Sequence, residues 1–322
     1  MLSWFPFLIK MTGYDRNGGE KMHSLYNEIV NPWKDVKINA MYETLEQLDP
    51  HFKRSNERFP KTWEFPLLKY VFTLCLHSAK IKDIAAIQQA LQFWEHVRLQ
   101  RNGIFHYEDS SWLLLDKQYC KTRPPFNKES TKDIILLTKK ALDQGFQGVT
   151  PMYLERSWQS IKDTQFLPLV EEAGSVIVHL EYQINDDDLT AYTTQFQGIT
   201  YTDWSDNPLS YAESIVHESA HSLLNYYIEA LDLKIPSTTY WSPWRQTNRP
   251  AYGVLHGVWA FSHVYQFYKR LAVAENREEH LIRAEREKKD LIGVGDSLAA
   301  ILDDIGSDQL QELVRDVYPF DK

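Results

Sequence analysis

Residues 210–231 read SYAESIVHESAHSLLNYYIEAL, and this stretch sets both the central helix of the fold and the chemistry it carries. Ile215, Val216, Leu223, Leu224, Ile228 and Leu231 recur at helical spacing, which predicts one helix anchored in a core. Asn207-Pro208 precedes it, and Ser210 with Glu213 has the S-x-x-E pattern of a capping box, so the helix is expected to start at Ser210. Within it lies His217-Glu218-Ser219-Ala220-His221. Histidines four apart share a helix face one turn apart, so both imidazoles can reach a single metal ion. Glu218 is offset by one position, close enough to touch a metal-bound water or brace a ligand.

Outward from this helix the chain reads as mostly helical. Downstream, a Pro-rich connection (236–250) leads to a helical segment over 251–273, then a charged exposed helix and a final amphipathic one. Upstream, SVIVHLEYQI (175–184) is β-branched and apolar, the clearest strand in the chain. TTQFQGITYTDW (193–204) is expected to pair with it across Asn185-Asp186-Asp187-Asp188. That acidic run lacks calcium-loop spacing and reads as a solvated turn. Residues 81–100 put Ile84, Ile87, Ala90, Leu91, Trp94 and Val97 on one helical stripe that ends at Asn102-Gly103. Residues 104–119 look extended or irregular, and after Arg123-Pro124-Pro125 a helix is expected from about 128 to 143. The fold class is therefore α+β, predominantly helical, with a small β-sheet near the middle of the chain. Two organisations fit: a helical N-terminal region (1–145) suited to peptide recognition plus a metal-binding catalytic region (146–322), or one continuous domain.

Composition removes several function classes. A net charge of −9 with no basic stripe argues against nucleic-acid binding. No apolar stretch approaches membrane-spanning length. The opening MLSWFPFLIK has no basic residue ahead of its apolar run, and Pro6 interrupts it, so no secretion signal is evident. Cys75 and Cys120 lack metal-ligand spacing and read as reduced thiols. A cytoplasmic protein is expected.

The third metal ligand is not written in the motif. A metzincin-like pattern needs a histidine six residues after His221, and Tyr227 stands there. After Asp232 no Asp or Glu occurs until Glu275, a gap of 42 positions in a chain with 44 acids. The gap contains Arg245, Arg249, His256 and His263. Such a locally cationic stretch suits an anionic small molecule or acidic peptide. His256, flanked by Gly253 and Gly257, is the best third ligand, with space expected beside its imidazole. His263, two turns along, is either a competing ligand or an outer partner. Arg245 and Arg249 lie between the metal-binding segments, and an arginine fork grips a carboxylate through paired hydrogen bonds.

The run VHESAH, then SPWR, then RPAYGVLHGVWAF resembles the HExxH-motif peptide-modification proteins of bacterial ribosomal-peptide gene clusters. The resemblance covers 208–270, about a fifth of the chain. It implies an iron(II)- and 2-oxoglutarate-dependent dioxygenase that uses O2 to hydroxylate a β-carbon of a precursor peptide. It implies His217 and His221 as iron ligands with His256 as the third, and Arg245 and Arg249 as holders of the 2-oxoglutarate carboxylates. Glu218 matches the motif glutamate, with its role open between ligand, outer partner and proton carrier. Three histidines depart from the usual two-histidine, one-carboxylate iron triad and also suit zinc. The alternative is a zinc metallopeptidase with Glu218 as general base and a third ligand from Glu275, Glu278 or Glu279. A third class is a peptide-binding protein without catalysis.

Overall fold

A computed structural model describes residues 24–55, 59–123, 134–148, 150–180, 191–193, 196–203, 207–318 and 320. A π-helical turn (Tyr26–Val30) runs into α1 (Asn31–Leu48), followed by α2 (Lys61–Lys80) and α3 (Ile84–Val97). Asp83 caps α3 by accepting from the Ala86 amide; of the expected stripe Ala90, Leu91, Trp94 and Val97 are buried, Ile87 is half-buried, and Ile84 in the first turn is exposed. The extended stretch is a hairpin, β1 (Ile104–Tyr107) with β2 (Ser110–Asp116). Gly103 (φ +71°) leads into it, and a Cβ there would lie 2.4 Å from the Leu114 carbonyl oxygen.

Next come β3 (Lys121–Arg123), β4 (Ile134–Leu136), α4 (Lys139–Gln144), α5 (Pro151–Asp163) and α6 (Leu167–Ala173). The helix expected over 128–143 is corrected here. Its described part opens as the strand Ile134–Leu136, paired antiparallel with β3, and helix begins only at Lys139 under a Thr138 cap. The Ile134-Ile135-Leu136 run favours pairing over helix. The remaining strands are β5 (Val176–His179), β6 (Ala191–Thr193) and β7 (Ile199–Thr202).

The central sheet has the order β1-β2-β5-β7-β6. β5 and β7 do pair, but parallel rather than as a hairpin, and β2 is parallel to β5 as well. The antiparallel neighbour of β7 is β6, and the acidic turn at 185–188 lies outside the described residues. Every residue of β5 is buried, the continuous apolar run expected of a strand covered on both faces. The sheet and a single apolar core draw on both sides of residue 145.

The chain then forms α7 (Pro208–Ala230), a hairpin of β8 (Thr239–Ser242) and β9 (Thr247–Pro250), α8 (Ala251–Glu275), α9 (Glu278–Gly293), α10 (Gly295–Ile305) and α11 (Asp308–Val317). The start of α7 corrects the capping-box expectation. Asn207 is the cap, its side chain accepting from the Leu209 amide with Pro208 in the first turn, and Ser210 and Glu213 lie inside the helix. α8 ends at Asn276 in the left-handed conformation (φ +53°). No helix among the described residues is long and apolar enough to cross a membrane.

Candidate metal centre

α7 and α8 pack antiparallel along a polar seam. Glu213, His217, His221 and Asn225 recur every four residues on α7 and so line one face. Opposite them, in reverse order, stand Tyr268 on Glu213, Phe261 on His217, His256 on His221 and Tyr252 on Asn225.

At the centre of the seam the Nε2 atoms of His217 and His221 are 3.1 Å apart. Two ligands bonded to one ion at about 2.0–2.1 Å each require a separation of this size. A Glu218 carboxylate oxygen and one nitrogen of each histidine all lie within 4.8 Å of one another. Glu218 itself is buried. The motif therefore assembles as its spacing predicts, and the donor set fits a divalent ion.

His256 stands elsewhere than expected. Its Nδ1 is 3.0 Å from Nδ1 of His221, the nitrogen facing away from His217, and its Nε2 is 2.9 Å from Asn225 Oδ1. His217, Glu218 and His221 form a metal-sized group without it. One imidazole cannot turn both nitrogens to one ion, so convergence of three imidazoles is not what the structure displays. The space expected beside His256 is also filled. A Cβ on Gly253 would lie 3.3 Å from Arg249 Cζ, and one on Gly257 would lie 3.1 Å from the Trp244 ring. The two glycines are notches, one for a guanidinium and one for an indole.

Between the two candidate arginines the structure makes a clear distinction. Arg249 is half-buried, lies across Gly253 and acts electrostatically on His256. Arg245 is exposed at the tip of the β8–β9 hairpin. Its neighbour Trp244 takes the inward place instead, stacked on Phe261 at 4.9 Å and 16° between planes, and Phe261 packs against His217 at 5.0 Å.

The imidazoles are held neutral. Burial pushes His217 down to about 4, helped by His263 and Arg283, and pushes His256 down to about 3, helped by His217 and Arg249. His221 is held well below its ordinary value by burial and then by the neighbouring histidines. Neutral imidazole is the metal-binding form. His263 is buried, with Nδ1 2.7 Å from the Trp259 carbonyl, and burial lowers it to about 4. It reaches His217 and His221 electrostatically and lies outside the metal-sized group.

Asn225, Tyr252, Phe261, Trp244 and Arg283 escaped sequence reading. Asn225 alone carried a signal, because it continues the four-residue spacing of the motif. Arg283 comes from α9 and is clamped by Glu213 at 2.6 Å and by Glu287. Of the carboxylates a peptidase would recruit, Glu275 bonds His280 at 2.8 Å, Glu279 pairs with Arg277 and Glu278 is exposed, and none belongs to the metal-sized group. Comparison with protein-family models and with curated proteins returns no match, so the chemistry of the site carries the assignment.

Proposed function

We propose that this chain is an iron(II)- and 2-oxoglutarate-dependent dioxygenase that hydroxylates a β-carbon of a ribosomally made precursor peptide. The observation that carries this reading is the pairing of a neutral two-histidine centre with the Arg249 guanidinium behind it. No carboxylate among the described residues pairs with Arg249, whereas Arg283 is consumed by two. An arginine next to the imidazole that contacts His221, with no carboxylate on it among the described residues, suits a dicarboxylate co-substrate better than hydrolysis of a neutral amide.

When bound, iron(II) with 2-oxoglutarate and O2 would supply the oxidising power, releasing succinate and CO2 as the peptide gains one oxygen. His217 and His221 would hold the ion. Arg249 would fix the distal carboxylate and so orient the co-substrate, while Trp244 and Phe261 shield His217 from water. Glu218, whose carboxylate lies beside the two imidazole nitrogens, would accept or return a proton there.

The position of Glu218 serves a zinc peptidase equally well, so zinc hydrolysis is the second reading. The deciding experiment supplies purified protein with iron(II), 2-oxoglutarate, oxygen and precursor peptides, then tracks succinate and peptide mass. Succinate matched by one added oxygen per peptide supports the oxygenase. Peptide cleavage with zinc, indifferent to 2-oxoglutarate, replaces it. Arg249→Ala is expected to raise the KM for 2-oxoglutarate about ten- to a hundredfold, the worth of a charge-assisted pair. Arg245→Ala is expected to leave it within about twofold, as for an exposed charge.

A further inference from the structure

We propose that Asn225, acting through His256, positions His221 for metal binding by fixing which of its nitrogens carries the proton. This rests on the reading of His217 and His221 as metal ligands. It assigns roles to two side chains that hold no ion themselves.

The inference comes from donors and acceptors along one chain of contacts. Asn225 Oδ1 is a carbonyl oxygen and only accepts. At 2.9 Å from His256 Nε2 it therefore requires a proton on that nitrogen. A neutral His256 then has a bare Nδ1, which can only accept. His221 Nδ1, 3.0 Å away, must be the donor. With its proton on Nδ1, neutral His221 has a bare Nε2, the atom that faces His217 Nε2 at 3.1 Å. One amide oxygen two rings away thus sets a lone pair toward the ion. Histidine ligands regularly take their tautomer and basicity from a partner on the other nitrogen.

Packing holds the relay in place. Asn225 is buried, and the Tyr252 hydroxyl donates to the same Oδ1 at 2.8 Å, filling its second lone pair. The Tyr252 ring covers His256 at 4.1 Å, and the His221 ring meets the His256 edge through the Nδ1 contact, with centroids 5.0 Å apart and 24° between planes.

The test uses the full chain with cobalt(II) as probe, plus side-chain 15N spectra of the metal-free protein. The spectra should show His256 protonated at Nε2 and His221 at Nδ1. His256→Asn keeps an oxygen near the Nδ1 position and should bind cobalt(II) within about threefold of wild type, whereas His256→Leu and Asn225→Leu should lose about ten- to a hundredfold. Thermal unfolding of each metal-free variant confirms that it folds. The relay is overturned if His221 carries its proton on Nε2, if Asn225→Leu binds as tightly as wild type, or if His256→Asn falls as far as His256→Leu. The last result would make His256 a ligand. Failure of the wild-type chain to take up cobalt(II) would instead overturn the metal centre, and the relay with it.

Discussion

Asn225 and Tyr226 are adjacent on α7, yet they belong to two different buried polar clusters. Asn225 closes the imidazole seam toward α8. Tyr226 gives its ring face to Lys34 Nζ from α1, with the centroid 3.9 Å away. That ammonium also meets the Tyr26 hydroxyl at 2.5 Å and the Glu172 backbone carbonyl at 3.3 Å, with the Phe65 ring 5.6 Å off. Burial lowers Lys34 to about 7 against the opposing pull of Glu172, and raises Glu172 to about 7 against Lys34. In the seam, by contrast, burial drives every imidazole to neutrality and the neighbouring cations reinforce it. Both clusters lose solvent. The cage supplies π faces and a counter-charge that keep a charge tolerable, whereas the seam supplies the lone pairs of neutral imidazoles.

The largest effect expected from this contrast is on metal. His217→Ala and His221→Ala should each abolish stoichiometric metal uptake and succinate formation, as read by metal analysis. His256→Ala should weaken uptake about ten- to a hundredfold without abolishing it. Equal loss in all three would put His256 in the coordination sphere and erase the difference between the seam and its support.

Acid should come next. The folded imidazoles titrate below the unfolded value of about 6.5. Between that pH and about 4 the unfolded chain therefore binds protons that the folded chain does not. Stability is lost as the pH falls through this window, by about 2 kcal/mol for each fully buried imidazole at pH 5. His179 and His263, both buried, contribute in full. Urea midpoints of the metal-free protein should drop steeply from pH 7 to 5.

The cage predicts the opposite region of the profile. Lys34 titrates near 7 in the fold and near its ordinary 10.5 when unfolded, so stability is lost as the pH falls from 10.5 to 7 and is flat below. Glu172 runs the other way, its raised value removing stability as the pH rises from 4.5 to 7. Lys34→Met should flatten the urea midpoint between pH 7 and 10.5 and leave metal uptake unchanged. The smallest effect is at Gly253. Gly253→Ala would press on Arg249 from 3.3 Å, raising the KM for 2-oxoglutarate about two- to threefold. It would also add up to about 1 kcal/mol of helix stability, visible as a higher Tm.

Local pattern carried far in reading this chain. The stripe from Ala90 to Val97, the buried VIVH run and the span of α8 are all set by periodicity. What periodicity could not supply is partner and direction. β5 and β7 lie parallel because β6 takes the antiparallel place beside β7, a choice made by topology. The same limit holds at the site. His217 and His221 meet because four residues make a turn, but Arg283, Trp244 and Tyr252 arrive from other segments. The charge of Arg245 suggested an inward role, yet its aromatic neighbour fills the glycine notch. The cage, assembled from residues 26, 34, 65, 172 and 226, leaves no local trace at all.

The indole seated on Gly257 gives the molecule its own optical reporter. Trp244 is separated from the His217 ring by the single ring of Phe261. A paramagnetic ion arriving at that histidine would dim its emission, and Trp244→Phe would remove that part of the signal. Metal uptake at the proposed centre would therefore be visible by fluorescence, with no label attached.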